Sequence, residues 1–416
     1  MQRCNMLVAA SVLCLFASAV TANGQQPDNP NPDTATLVKG NNTFACNLYG
    51  QLSNAEGNYF FSPYSISTAL AMTYAGARGD TAAEMAKTLH FPIDQGKLHR
   101  TFSEMINDIH GKKANQSYEL ITANRLWGQK GFTFQPAFLK IANDQYGAGF
   151  KEVDFIDESE KARLTINAWV EEQTKQKIKE LLKPGILNQD SRIVLTNAIY
   201  FKASWTEPFL AQLTKNDEFK LPGGKVISDV PMMHKTLPLG QYVDQDGLKV
   251  LAMPYGKKEL SMIVLLPKTV DGLPELEKTL VTRGPDYLSE LFGKLTDTHV
   301  SVVLPKFKLT SQFRLDEKLK ALGMRIAFNE ILADFSGMTT DDKLHITAVV
   351  HQAFVDVYEA GTEAAAATAV VGGGQGGGGP GVKPIEFRAD HPFLFLIRDN
   401  RTGSILFMGR VMNPQS

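Results

Sequence analysis

The residues that could do chemistry in this 416-residue chain do not form a recognisable catalytic set. There is no Gly-x-Ser-x-Gly nucleophile turn, no His-Glu-x-x-His zinc pair, no Cys-x-x-Cys pair and no Walker-type phosphate loop. The eight histidines are scattered, and none has a partner at the spacing of metal ligands. The sequence therefore predicts a protein that is not an enzyme and that uses neither a metal ion nor a cofactor.

One glycine pattern imitates a dinucleotide-binding motif without its structural context. Gly372, Gly374 and Gly377 have the spacing Gly-x-Gly-x-x-Gly, but they lie in a tract that is mostly glycine, so composition alone produces the match. Pro380 and Pro384 follow where the motif requires the start of a helix. We therefore interpret the tract as part of a long loop.

Residues 1–22 have the features of a secretory signal peptide. The single positive charge of Arg3 precedes the apolar run Met6–Val20, and small residues suit cleavage after Ala19 or Ala22. The run is shorter than the ~20 residues that a membrane span needs, which favours a removed leader over a signal anchor. We expect a secreted protein without a membrane span.

The mature chain should begin with a flexible segment, residues 23–34, and continue as a single domain over residues 35–416. Cys4 and Cys14 lie in the leader, so Cys46 alone would remain and no intrachain disulfide could form. Three Asn-x-Ser/Thr triplets suit a secreted glycoprotein. Their asparagines are Asn41, Asn115 and Asn400.

The charge balance argues against polyanionic partners. The chain has 43 Lys and Arg residues against 44 Asp and Glu residues and no long basic run, so a nucleic-acid partner is not expected. The region Lys97–Lys113 holds four basic residues but also Glu104 and Asp108. Because it forms no basic stripe, it does not support glycosaminoglycan binding either.

Apolar periodicity and turn residues place helices early in the chain and strands late. Helices are predicted at Ser65–Gly76, Thr81–Leu89 with Thr81 and Glu84 as a capping box, Arg163–Lys179 and Leu315–Leu322. Strands are predicted at Ile193–Phe201, Leu260–Leu266, Val300–Leu304, Val350–Val357, Phe393–Ile397 and Ser404–Met408. This segregation indicates an α+β fold.

A long tract of small residues separates two of these strands. Gly361–Ala369 (GTEAAAATA) is rich in alanine, and the glycine tract follows it directly. Loops of this length inside a domain are usually functional or disordered. Composition alone also allows a low-complexity spacer.

Four blocks of the sequence, in order, resemble those of the serpins, a family of serine protease inhibitors. The blocks are Tyr59–Ala71 (YFFSPYSISTALA), Thr196–Phe209 (TNAIYFKASWTEPF), His351–Thr368 (HQAFVDVYEAGTEAAAAT) and Asp390–Met412 (DHPFLFLIRDNRTGSILFMGRVM). The similarity extends from about Ala35 to Pro414. It implies an α+β serpin fold with three β-sheets, about nine helices and an exposed reactive-centre loop at about 359–386.

The resemblance also implies a mechanism in which the cleaved loop inserts as a new central strand of a sheet. The hinge that would insert consists of Gly361, Thr362, Glu363, Ala364, Ala365, Ala366, Ala367 and Thr368. Alternate side chains from Thr362 onward would face the core, and they are small or β-branched. Glu363 would lie on the opposite face, and no proline interrupts the ladder before Val371.

Further residues match positions that control the opening of the sheet in this family. The matched residues are Ser62, Ser65, Asn197 and His351 in a polar gate, Trp205 at the top of the opening, and Lys306 with Glu359 as a charge pair at the loop entry. An exposed pair of this kind contributes ~0–1 kcal/mol.

The position of the cleaved bond depends on the end from which it is counted. Counting forward from Glu359 gives Gln375–Gly376, whereas counting back from Pro392 points to 381–383. We prefer the forward count because the hinge side sets the distance over which a bound protease is carried.

Two functions remain open at the level of sequence. The intact hinge favours a monomeric, secreted suicide-substrate inhibitor that forms a covalent complex with serine proteases, with cysteine proteases as a second target class. The glycine tract favours a non-inhibitory serpin, a carrier, chaperone or storage protein, because glycines offer a protease few side-chain contacts.

Overall fold

The computed structural model describes residues 31–110, 117–147, 149–341, 344–362 and 383–416. The helices in these ranges are α1 (Pro32–Leu52), α2 (Pro63–Tyr74), α3 (Gly79–Leu89), α4 (Gln95–His110), α5 (Pro136–Tyr146), α6 (Ser159–Gln173), α7 (Leu273–Gly293) and α8 (Asp316–Ala321). The strands are β1 (Tyr59–Phe61), β2 (Tyr118–Gln129), β3 (Phe150–Val153), β4 (Ile193–Ser204), β5 (Lys215–Lys220), β6 (Val226–Gln245), β7 (Leu248–Tyr255), β8 (Leu260–Pro267), β9 (Thr296–Pro305), β10 (Phe307–Arg314), β11 (Ile346–Tyr358), β12 (Gly361–Thr362), β13 (Ile385–Arg388), β14 (Phe393–Asp399) and β15 (Ile405–Val411). The α+β class is confirmed.

Hydrogen bonding joins the described strands into two sheets where three were expected. One has nine strands in the order β1-β15-β14-β8-β7-β6-β9-β13, with β5 paired to β6, and the other has six in the order β10-β11-β12-β4-β2-β3. The 20-residue strand β6 causes the difference. Its first part pairs with β5 and its last part with β7, across a register shift between Leu237 and Gly240. One long strand therefore links two sets of strands into one sheet.

Strand β4 lies at the centre of the six-stranded sheet and is buried on both faces. Leu195, Ile199 and Phe201 pack into the main core between the two sheets. Val194 and Tyr200 face a second, smaller core that contains residues of α6. Burial on both faces explains why the sequence of β4 is a nearly continuous apolar run rather than an alternating one.

The first helix begins inside the N-terminal segment, residues 23–34, that was expected to be flexible. Helix α1 begins at Pro32, and the Asn31 side chain accepts a hydrogen bond from the backbone N–H of Asp33 at 3.1 Å. Asn at the N-cap and Pro at the first helical position both favour a helix start. The expectation of flexibility is therefore wrong for residues 32–34, and residues 23–30 lie outside the described ranges.

The capping box predicted for α3 is wrong. The helix begins at Gly79, and Thr81 accepts a hydrogen bond from the backbone N–H of Asp334 at 2.9 Å. Glu84 accepts two more, from the backbone N–H groups of Arg325 and Ile326 at 2.8 and 2.7 Å. Both side chains tie α3 to a distant segment, so tertiary partners outcompete the local cap.

The other predicted elements form close to their expected positions. Helix α6 starts four residues before the predicted Arg163 and ends at Gln173, six residues before the predicted end at Lys179. In the described ranges, no helix combines the length and the apolar character that crossing a membrane requires.

Candidate functional site

The first two hinge residues already lie inside the six-stranded sheet. Strand β12, Gly361–Thr362, runs antiparallel to both β11 and β4 and sits between them, with Thr362 opposite Val357 and Ala203. Farther along, β11 and β4 pair directly and in parallel, from Ile346 opposite Ile193 onward. The sheet is thus parted at one end, where the chain enters it, and closed over the rest of its length.

Gly361 fits this opening because it has no side chain. Its φ is 154°, and a Cβ at this position would lie 2.1 Å from the carbonyl oxygen of Ala203 and 2.7 Å from the Cα of Ser204. A backbone atom cannot move aside as a flexible side chain can. Any other residue would therefore push the hinge out of the gap.

Trp205 and Tyr255 form the wall of the opening. The two rings stack at a centroid distance of 4.4 Å and an angle of 10°. The Trp205 indole N–H donates to the carbonyl of Tyr358 at 3.0 Å. The Tyr255 hydroxyl lies 2.8 Å from the hydroxyl of Thr362, and both side chains are buried. Trp205 is where the resemblance placed it, whereas sequence reasoning missed Tyr255.

The chain entering the gap is held by backbone and ionic contacts. The N–H groups of Trp205 and Phe209 donate to the carbonyls of Ala360 and Glu359 at 3.0 and 2.9 Å. The Lys306 ammonium lies 3.0 Å from the Glu359 carboxylate, which also accepts a hydrogen bond from Thr214 at 2.7 Å. The structure therefore brings Lys306 and Glu359 together, and Thr214 is a partner that sequence reasoning missed.

The protonation state of Glu359 follows from these contacts. Burial of its carboxyl raises the pKa, but hydrogen bonds from Thr214 and Lys306 outweigh burial and leave the pKa below its ordinary value. Glu359 is therefore charged at neutral pH, as its pairing with Lys306 requires.

The gate residues form one buried hydrogen-bond network below the opening. The backbone N–H of Ser62 donates to Nε2 of His351 at 3.1 Å, so the ring proton resides on Nδ1, which donates to the Asn197 side-chain oxygen. The Asn197 side-chain nitrogen donates to the Ser65 hydroxyl at 2.6 Å. Burial lowers the pKa of His351 to about 3, so the ring is neutral.

Asn124 of β2 completes this network. Its side-chain oxygen accepts from the Ser65 hydroxyl at 3.1 Å and from the Asn197 amide. Sequence reasoning missed Asn124 because β2 was not among the predicted strands. Asn124 can be recognised as a gate residue because it lies directly opposite Asn197, and this is known only when the pairing of β2 with β4 is known.

The gate network spans the closed part of the sheet. His351 and Asn197 are directly opposite each other on β11 and β4. Ser62 caps the N-terminus of α2, and its hydroxyl donates to the carbonyl of Leu406 at 2.6 Å. A strand entering between β11 and β4 must break the bond between His351 and Asn197 but leaves the contacts of Ser62 with α2 and β15 in place.

The structure contradicts one of the predicted glycosylation sites. Asn41 is buried in α1, and its side-chain oxygen accepts a hydrogen bond from Ser67 at 2.7 Å, so the folded protein has no room for a glycan there. Asn400 is exposed, but its amide donates to Lys258 and Ser261, each at 2.8 Å. Asn115 lies outside the described residues.

The hinge residues Glu363, Ala364, Ala365, Ala366, Ala367 and Thr368 and the bond Gln375–Gly376 lie outside the described ranges and remain predictions. Cys46 is buried, and burial raises the pKa of its thiol to about 12, so it is not a reactive thiolate.

Comparisons with known proteins agree with this arrangement. The family model described as serpin (serine protease inhibitor) matches residues 39–414. The chain is 42% identical to a leukocyte elastase inhibitor of Xenopus laevis over 89% of this chain and 97% of the relative. It is also 42% identical to the leukocyte elastase inhibitor of Homo sapiens, over 91% and 99% respectively.

Solved structures give the same result. The crystal structure of Serpin48 from the insect Tenebrio molitor, titled a highly specific serpin, superposes with a TM-score of 0.81 at 35% identity. The match covers 91% of this chain and 98% of that one. The resemblance seen in the sequence and the expected serpin fold are confirmed: the chain belongs to the serpin family of serine protease inhibitors.

Proposed function

We propose that this protein is a secreted inhibitor that traps serine proteases as covalent complexes by inserting its cleaved loop into the six-stranded sheet. The observation that carries the proposal is β12, which lies between β4 and β11 and antiparallel to both. An inserted loop would run in the same direction and between the same neighbours. The relatives named leukocyte elastase inhibitor support the inhibition of a serine protease, which is the coarser part of this proposal.

The register of β12 determines where the rest of the hinge would go. Neither β4 nor β11 has a bulge between the gate and β12, so the register extends without a shift. Ala364 and Ala366 would then enter beside buried residues of β4 and β11, where small side chains avoid overpacking. Thr368 would lie between Asn197 and His351, where its hydroxyl can replace the hydrogen bond that insertion breaks.

The opposite face of the inserted strand also suits this register. Glu363 would lie between Lys202 and Asp356, both of which are half-buried and in contact with solvent. A carboxylate there keeps part of its hydration, and the attraction of Lys202 offsets the repulsion of Asp356. Ala365 and Ala367 would face the smaller core beneath α6, where their small side chains again avoid overpacking.

Trapping follows from the timing of insertion relative to hydrolysis. The protease nucleophile attacks the carbonyl carbon of Gln375, the peptide bond to Gly376 breaks, and the new amine leaves while the acyl-enzyme remains. Thr362 is already in the sheet, so insertion as far as Gln375 adds 13 residues and extends the strand by roughly 43 Å at ~3.3 Å per residue. The attached protease is carried that distance, and distortion of its catalytic geometry stops the attack of water on the ester.

Elastase-like serine proteases are the first targets to test. Incubation with neutrophil elastase and a panel of trypsin-like, chymotrypsin-like and cysteine proteases should yield an adduct that survives SDS. N-terminal sequencing of the released peptide locates the cut: the forward count expects Gly376 and the 41 residues to Ser416, whereas a cut after Val370 or Val371, which suit an elastase-like pocket, would release a longer peptide. If the loop is cleaved by every protease of the panel and no adduct accumulates, the inhibitory function is wrong.

Secretion is proposed from the apolar leader. Expression in a eukaryotic cell should deliver the protein to the medium with an N-terminus at Val20 or Asn23. A variant with Leu13→Arg in the leader should stay in the cell, because a charge interrupts the apolar run. A wild-type protein retained in the cell with its leader uncleaved would contradict secretion and leave the inhibitory mechanism unaffected.

A further inference from the structure

We propose that Tyr255 is a positioning residue for loop insertion: its hydroxyl holds Thr362 in the gap and so fixes the register in which the hinge enters the sheet. This inference rests on the proposed function, since it assigns a role within the same insertion. Tyr255 was not among the residues that the family resemblance pointed to. Its role is argued from its contacts alone.

Tyr255 is a rigid reference point beside the moving segment. It belongs to β7 of the nine-stranded sheet, and a backbone bridge joins it to Trp205, directly after β4, so it stays with the β4 side of the gap when β11 moves away. Its ring is stacked on Trp205 and meets the edge of Phe201 at 5.3 Å and 79°. Burial raises the pKa of Tyr255, so the phenol keeps its proton and can both donate to and accept from Thr362.

The hinge needs such a reference because its own side chains carry little register information. Ala364, Ala365, Ala366 and Ala367 are identical, so a slip by two residues would place an alanine where another alanine belongs. The same slip would bring Ala364 to the position of Thr362. The Tyr255 hydroxyl would then lose its partner, which is unfavourable because both side chains are buried.

The hydroxyl pair affects the rate of insertion more than its driving force. In the register of β12, the bond between Tyr255 and Thr362 exists before insertion and persists after it. It therefore contributes about equally to both states. The hydroxyl pair holds the first inserted residue in place before cleavage. The following hinge residues can then pair with β4 and β11 one after another.

The test compares variants that remove one hydroxyl each. Tyr255→Phe and Thr362→Val keep the size and shape of the side chains, and their combination tests whether the two hydroxyls act as a pair. With a protease that the wild type traps, each single variant should raise the stoichiometry of inhibition about threefold or more. The double variant should be no worse than the worse single variant. The apparent inhibition rate constant multiplied by the stoichiometry, which reports docking and acylation, should stay within about twofold, because docking of the protease is unchanged.

A matched control separates positioning from general destabilisation. Tyr146→Phe removes another buried hydroxyl, which is 2.6 Å from His99 on α4 and contacts no loop residue in the described ranges. It should lower stability like Tyr255→Phe and leave the stoichiometry of inhibition at the wild-type value. Equal stoichiometries for the wild type, Tyr255→Phe and Thr362→Val would overturn the proposal, as would a rise of the same size in Tyr146→Phe.

A second readout does not depend on inhibition. After the loop is nicked by a nonspecific protease, the heat-stable form should appear more slowly in Tyr255→Phe than in the wild type. Equal rates would overturn the role of Tyr255. A wild type that becomes heat-stable after nicking but traps no protease would contradict the proposed function. The role of Tyr255 could still be tested in that case, by comparing the rate at which the nicked wild type and the nicked Tyr255→Phe variant become heat-stable. A wild type that does not become heat-stable would contradict both.

Discussion

The two ends of the gap between β4 and β11 differ in what holds them. At the upper end, β12 separates the strands, and the side-chain contacts include an aromatic stack, one hydroxyl pair and the partly exposed ion pair of Lys306 and Glu359. At the gate, the strands pair directly, and a buried network joins His351 to Asn197. A loop that inserts can add its first residues at the upper end without breaking a pair between β4 and β11, whereas from Phe354 and Tyr200 down to the gate it must break direct strand pairs and then the buried hydrogen bonds. If the loop inserts as proposed, the difference predicts that the main barrier lies in the directly paired part with its gate network, and that the register is chosen at the top.

The largest effect that tests this comparison is the stabilisation produced by cutting the loop. A nick by a nonspecific protease should raise the melting temperature by tens of degrees, because a full central strand then pairs with both β4 and β11 and adds buried contacts over its length. Circular dichroism before and after nicking measures the shift. An unchanged melting temperature would instead favour a non-inhibitory carrier, chaperone or storage role.

A charged side chain at the upper end should abolish trapping. Thr362→Arg places a guanidinium in a fully buried position beside Tyr255, which costs several kcal/mol without a partner. The loop should still be cleaved, but the protease should be released, so the SDS-stable adduct disappears and the nicked variant gains no heat stability.

The neighbouring residue provides the matched control for this substitution. Glu363→Arg introduces the same side chain on the opposite face of the proposed strand, near Asp356, where it can reach solvent. It should keep the adduct and the gain in heat stability. Loss of trapping in both variants would show that the proposed alternation of the hinge is wrong.

At the gate, acid should weaken the native state through His351. The folded-state pKa is about 3, below the ordinary value of 6.5, so the unfolded chain binds a proton that the folded chain does not between these values. The contribution of His351 to the free energy of unfolding is at its maximum well above pH 6.5. Below that pH the contribution decreases by about 1.4 kcal/mol per pH unit. Between pH 7 and pH 5, the loss should be about 2 kcal/mol.

Urea unfolding of the wild type and of His351→Gln measures this contribution. The glutamine side chain can accept from Ser62 and donate to Asn197, but it does not titrate in this range. The stability difference between the two proteins should shrink by about 2 kcal/mol from pH 7 to pH 5 and stay constant from pH 7 to pH 8. A constant difference over the whole range would mean that His351 is not held neutral by burial.

Most of the residues that the sequence could supply lie in contiguous blocks, and Lys306 is the exception. The hinge, Trp205 and the gate residues lie in stretches that resemble the family, and the strand character of β4 and β11 is visible from their apolar residues alone. Tyr255, Asn124 and Thr214 could not be found in this way. Each acts through a partner on a distant strand or turn, so its role depends on a register that exists only in the folded protein.

Local rules failed where tertiary contacts compete with them. Thr81 and Glu84 have the spacing of a capping box, yet both bond to a segment more than 200 residues away in sequence. Asn41 forms a valid glycosylation triplet, yet the face of α1 on which it lies packs into the core. In both cases the sequence motif is present, but contacts with a distant part of the chain determine what the side chain does.

The smallest expected effect concerns the ion pair at the loop entry. The side chain of Lys306 is 38% exposed and that of Glu359 14%, so solvent screens the pair, and Lys306→Met should lower the stability of the native state by about 0–1 kcal/mol. The difference from the wild type in urea unfolding should decrease further at high salt. Lys308→Met removes a more exposed lysine 4.0 Å from Asp356 and should cost less still. A loss of several kcal/mol in Lys306→Met, insensitive to salt, would show that the upper end is held by charge as firmly as the gate is held by hydrogen bonds, and the contrast between the two ends would no longer stand.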